Sequence, residues 1–156
     1  MRIKNQSLLL VLCLVANGSG TFAAGKSAQT QQQLNESHKK WVSKNIKDYQ
    51  FTFDWGCFCP PEHNKPVIIS VRSGVLTSVK YADGSGAVDK TKYTRYRTIE
   101  GLFEFMQDAI NRKAYKIEVS YDATLGYPTF ASIDYNEKVS DEEMSFKAGG
   151  LIVDAR

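Results

Sequence analysis

Tyr49-Gln50-Phe51-Thr52-Phe53-Asp54-Trp55 is the stretch that decides the fold. Aromatic residues at odd positions alternate strictly with polar ones, the period-two pattern of a strand dry on one face and wet on the other. The pattern returns in Tyr115-Lys116-Ile117-Glu118-Val119-Ser120-Tyr121. With their flanks, residues 47–55 and 113–121 both read Lys-x-Tyr-x-apolar-x-apolar-x-aromatic. The match resumes further on, where Pro66 to Arg72 reads against Pro128 to Asp134, each with a serine at its fifth position. Self-similarity of this kind predicts a duplicated supersecondary unit.

Working outward, Leu34, His38, Trp41 and Val42 recur at helical spacing and predict a helix from Gln31 to Lys44. Val67, Ile69 and Val71 alternate as a second strand. Ser73-Gly74 turns the chain, and Val75 to Tyr81 returns as the hairpin partner. A polar connector from Ala82 to Arg97 leads to Thr98, a fair N-cap, with Glu100 placed to favour the helix dipole. Ile99, Leu102, Phe103, Met106 and Ile110 form the apolar stripe of a second helix. Strands follow at Tyr115 to Asp122, Thr129 to Tyr135 and Met144 to Ile152. The expected fold is α+β, a tandem α-β-β-β repeat spanning about 31–81 and 98–153. Its antiparallel sheet would carry two helices on the odd-numbered face. This plan is similar in architecture to that of the secreted β-lactamase inhibitory protein.

The N-terminus reads as an export signal over residues 1–23. Arg2 and Lys4 precede the apolar run Leu8 to Ala16, and Thr21-Phe22-Ala23 suits a signal peptidase. That run is shorter than the roughly 20 residues a membrane span needs. Leu12 before Cys13 argues against a lipid anchor. Residues 24–30 read as a mobile leader, and residues 31–156 as one domain. Loss of Arg2 and Lys4 takes 20 basic residues to 18 against 17 acidic ones, a net charge near +1. The clear basic excess of nucleic-acid binders is missing. The basic-aromatic run Lys90 to Arg97 therefore reads as a solvated connector.

Cys57-Phe58-Cys59-Pro60-Pro61 is the sharpest chemical signal. Residues two apart in a strand have Cα atoms about 6.5 Å apart, near the upper limit for a disulfide. Gly56 and the prolines suit the bend that closure needs. A disulfide stiffening the loop is the leading expectation. A redox dithiol or a metal site with His63 stays open, although only one ligand cluster is visible where zinc sites use paired ones. No catalytic residue, cofactor or phosphate loop is legible. Asp122 and Asp134 lie roughly 16 Å apart along the expected hairpin, too far for one cation. Asp141 to Glu143 read as a solvated turn.

Tyr49-x-Phe51, Cys57-x-Cys59-Pro60, Thr98-Ile99, Tyr121-Asp122, Gly126-Tyr127-Pro128-Thr129, Ile133-Asp134 and Asp141-Glu142 occur here in order. Together they resemble the bacterial exported proteins grouped as domain of unknown function 6174. The resemblance implies a cell-envelope or secreted protein and brings no activity, cofactor or catalytic residue. The expected function is a non-enzymatic periplasmic or secreted binding module for an envelope or extracellular protein. The loops after the first strand of each unit are the expected contact surface, presenting Trp55, Phe58, Tyr121, Asp122 and Tyr127 together. The alternative places those aromatics inside the core. A different function class, thiol-redox or metal binding, would use Cys57 and Cys59.

Overall fold

The computed structural model of the chain describes residues 21–57, 64–139 and 142–154. Helix α1 (Thr21–Ser43) precedes strands β1 (Tyr49–Cys57), β2 (Val67–Arg72) and β3 (Val75–Tyr81). A 3-10 turn, Lys90–Arg95, leads to helix α2 (Ile99–Asn111) and strands β4 (Lys116–Tyr121), β5 (Pro128–Asp134) and β6 (Met144–Val153). The α+β class holds.

Thr98 caps α2 by accepting from the Gly101 amide at 3.2 Å, and Glu100 lies in the first turn. Ile99, Leu102, Phe103 and Met106 are buried along one stripe, as period 3.6 requires. In α1, Leu34 and Trp41 are buried two turns apart, and Asn45 at φ 49 leaves the helix in a left-handed turn. The helix begins well ahead of Gln31, so residues 24–30, read from sequence as a mobile leader, are helical instead. Ala24, Lys26, Ala28 and Gln29 favour helix, and α1 supplies an existing helix for them to extend. The signal segment lies outside the described residues up to position 20. No helix among the described residues is long and apolar enough to cross a membrane.

The six strands form one antiparallel sheet in the order β3-β2-β1-β6-β5-β4. Phe51 lies opposite Ile69, Trp55 opposite Phe146, Ala131 opposite Phe146 and Val119 opposite Ala131. One face of the sheet therefore collects the apolar side chains of all these strands. Tyr49, Phe51, Phe53, Val67, Ile69, Ile133 and Phe146 are each at most 1% exposed there. Trp41 of α1 meets Tyr49 edge-on at 5.5 Å, and Phe105 of α2 lies 6.2 Å from Phe146. His38 joins the helices through a ring contact to Phe103 at 4.6 Å.

The second copy of the pattern is looser than the first. Tyr115 precedes β4 and is 57% exposed, its hydroxyl donating to Glu137 Oε1 at 2.7 Å. Ile117 and Val119 are half-buried, because β4 is an edge strand while β1 is central.

The two halves also differ in hand. Viewed onto the apolar face with β1 running upward, β2 and β3 lie to its one side. With β4 turned to run upward, β5 and β6 lie to the other, because all neighbours are antiparallel. No rotation superposes the halves with the same face buried. A half-turn about the sheet normal between β1 and β6 relates the strands instead. It carries β1-β2-β3 onto β6-β5-β4, in reverse chain order, so the sequence repeat does not become a geometric one.

Candidate functional site

The two loops singled out by sequence lie at opposite ends of the sheet. Cys57 closes β1 opposite Met144, and Met144 lies level with Ile133 and Ile117. β1 therefore ends where β4 begins. The hairpin after β4 emerges at the other end, where Trp41 touches both Tyr49, the first residue of β1, and Tyr127. The expected joint surface of Trp55 with Tyr121 and Tyr127 does not form.

Each of these aromatics turns inward. Trp55 meets Phe53 at 5.2 Å, Phe105 at 5.6 Å and Phe146 at 6.2 Å. Its indole N–H donates to the Arg95 carbonyl at 3.0 Å, tying the 3-10 turn to the sheet. Tyr121 stacks on Phe103 at 6.3 Å, and its hydroxyl is buried without a hydrogen-bond partner among the described residues. Burial pushes that hydroxyl's pKa well above the ordinary tyrosine value. Tyr127 is 5% exposed. Burial, and after it the Asp122 carboxylate, raises its pKa too.

Asp122 builds the hairpin turn. Its Oδ1 accepts from the Thr124 amide at 2.9 Å and the Leu125 amide at 2.6 Å, an arrangement that mimics a backbone turn. Gly126, at φ +86, closes it by donating to the Asp122 carbonyl. The turn tip packs under α1, where Lys40 Nζ donates to the Ala123 carbonyl at 2.9 Å. Cys57 ends β1; its side chain, together with Phe58, Cys59, His63 and Asp141, lies outside the described residues. Asp134 pairs with Lys116, at the far end of β4 from Asp122. Among the described residues no three His, Cys, Asp or Glu side chains are grouped as a metal site would need.

A polar cluster that sequence reading left unconnected joins helix to sheet. The Tyr49 hydroxyl donates to Glu100 Oε2 at 3.0 Å and accepts from the Ile99 amide at 3.0 Å. Trp41 Nε1 donates to Glu100 Oε1 at 3.2 Å. Glu100 was legible as a first-turn acid. Its partners are 51 and 59 residues away, beyond any local signal. This cluster is internal scaffolding at the start of α2.

What remains on the surface is the even-numbered side of the sheet. Thr52 and Lys147 are exposed, and Gln50, Asp54, Ser70, Ser132 and Ser145 half-exposed. Four apolar side chains interrupt this polar field, one of them Val75 at the start of β3, opposite Arg72 and 63% exposed. Ile68 on β2 and Phe130 on β5 are half-exposed, and Ile152 on β6 is 56% exposed. Between Ile68 and Phe130 the two central strands carry Thr52, Gly149, Asp54 and Lys147 in two rows. A second feature is the β4 edge, where a cleft of about 330 Å³ separates Gln29, Thr30 and Gln33 of α1 from Ile117, Glu118 and Val119.

No curated protein and no solved structure matches the chain. The likeness in plan to the secreted inhibitory protein therefore gains no support from structure. The model of one family does match, over residues 33–153. That span takes in both helices' buried faces, all six strands and the Asp122–Tyr127 turn, and by it the chain belongs to the family of unknown function DUF6174.

Proposed function

We propose that this chain is an exported, non-enzymatic binding module that docks a partner protein on the open face of its sheet. The carrying observation is the pair Ile68 and Phe130, standing astride a floor of small and polar residues on the water side. Three strand spacings and one row of residues separate them, about 16 Å in all. Gly149 on that floor carries no side chain, and its carbonyl accepts from the Thr52 hydroxyl at 2.8 Å, which keeps the floor low between the two anchors. The face measures about 24 by 20 Å in projection, comparable to a small protein interface once side-chain relief is counted. Apolar anchors ringed by polar groups are the usual composition of such a surface. The signal-like segment 1–23 supports an envelope or extracellular setting for the partner.

Chemical crosslinking in envelope extracts tests this reading. An Ile68→Asp, Phe130→Asp double variant should lose the captured partner, while Lys39→Glu, on the exposed side of α1, should keep it. Unchanged capture by a double variant with native circular dichroism would overturn the proposal.

A further inference from the structure

The two edges of the sheet are treated differently. The β3 edge is covered: Val88 N–H donates to the Val79 carbonyl, and the Val79 N–H donates to the Tyr93 hydroxyl at 3.0 Å. Ala87 forms a bridge to Lys80 beside them. The β4 edge pairs with β5 on one side and with no strand among the described residues on the other. Asp122 turns its N–H inward to the Tyr127 carbonyl. Period-two alternation then directs the amides of Tyr121, Val119 and Ile117 outward, away from β5. The bulge near this end does not disturb that alternation, since the extra residue, Thr129, lies on β5.

We infer that a second copy of this chain pairs its β4 antiparallel to this edge, with the two-fold axis at Val119. In that register Val119 faces Val119 of the second copy, and Ile117 faces Tyr121. These are the outward-directed positions, so every pair among them exchanges two backbone hydrogen bonds. On the even face Lys116 comes opposite Asp122, and Glu118 opposite Ser120, so the charges are matched. A two-fold at Glu118 would instead place two glutamates face to face, which is destabilising. A two-fold at Ile117 would need Tyr115, which lies outside the strand. Charged edge residues normally discourage strand addition; here Lys116 and Glu118 discourage the wrong registers and admit one.

The cleft beside β4 gives the incoming strand room. Gln29 and Gln33 on its wall are uncharged donors and acceptors, compatible with their own copies. The product is one continuous sheet of two chains, with both open faces on the same side.

Sedimentation velocity of the purified protein, together with cysteine crosslinking, tests the inference. A dimer is expected whose register lets Val119→Cys form an intermolecular disulfide under mild oxidation, since facing residues meet the Cα spacing a disulfide needs. Ile117→Cys and Glu118→Cys should stay at the background set by the unsubstituted protein with its own Cys57 and Cys59. Val119→Pro keeps the β5 ladder, because the lost N–H points outward, and should weaken dimerisation roughly 30-fold through two missing hydrogen bonds. A monomer throughout the micromolar range overturns the inference, as does preferential crosslinking at position 117 or 118. Monomeric protein that captures a different protein through β4 overturns it equally.

Discussion

Gly126→Ala tests how the second hairpin is locked to α1. Gly126 adopts φ +86, where an L-residue costs about 1–2 kcal/mol. A methyl group there would also sit 2.5 Å from the Ser37 carbonyl oxygen, 2.9 Å from Lys40 Cβ and 3.2 Å from the Trp41 amide. Two of those atoms are helix backbone, so relief requires moving α1 itself, an overpacking cost of about 1–3 kcal/mol. Together the loss is about 2–5 kcal/mol, a large share of the roughly 5–15 kcal/mol that holds a domain folded. Gly84→Ala is the control. It has a similar φ of +78, with no heavy atom within 4 Å of the new methyl, so only the backbone cost of about 1–2 kcal/mol applies. Urea unfolding followed by tryptophan fluorescence reads both, since Trp41 lies against Tyr127. The midpoint for Gly126→Ala should fall well below that for Gly84→Ala, with unchanged m-values. Equal losses in the two variants would refute the close approach of the hairpin to α1.

Tyr49→Phe removes a donor to Glu100 and an acceptor from Ile99, and should cost about 1–3 kcal/mol in thermal unfolding. Burial, reinforced by the Glu100 carboxylate, holds the Tyr49 hydroxyl above its ordinary 10.0. The folded chain thus keeps a proton that the unfolded chain releases, so stability is full below pH 10 and falls as pH climbs beyond it. Tyr49→Phe should flatten that alkaline decline; an unchanged slope would remove Tyr49 from the account. Trp55→Ala should cost about 3 kcal/mol by emptying the space between Phe105 and Phe146, and folded variant should still capture the partner. Loss of capture without loss of stability would return Trp55 to the binding surface. Mass spectrometry of the exported protein should find Cys57 and Cys59 oxidised, lighter by the two hydrogens a disulfide removes; a bound metal ion would favour the thiol or metal reading instead.

Trp55, Tyr121 and Tyr127 illustrate why the candidate site was hard to read. An aromatic next to a loop has the same sequence signature whether it faces a partner or closes the core. The difference lies in what stands above it, and that is decided by residues far along the chain. Phe105 and Arg95 enclose Trp55, Phe103 covers Tyr121, and Trp41 covers Tyr127. Ile68 and Phe130, by contrast, look like ordinary strand residues. They become notable only once the register puts them on the water side.

What the sequence determined by itself was local. Alternation from Tyr49 to Trp55 fixed the strand and its buried face, because a one-residue slip would turn every aromatic to water. The Thr98 cap and the Ile99–Met106 stripe fixed α2 in the same way. Only the tertiary structure decided which strand lies beside which. Alternation says which way a side chain points, and is silent on whether the next strand adds to the left or to the right. After β3 the chain carries α2 across the apolar face and starts β4 at the opposite edge, so that β6 returns to pair with β1. That crossing reversed the hand of the second half, separated two loops that the sequence had placed together, and left β4 as the open edge.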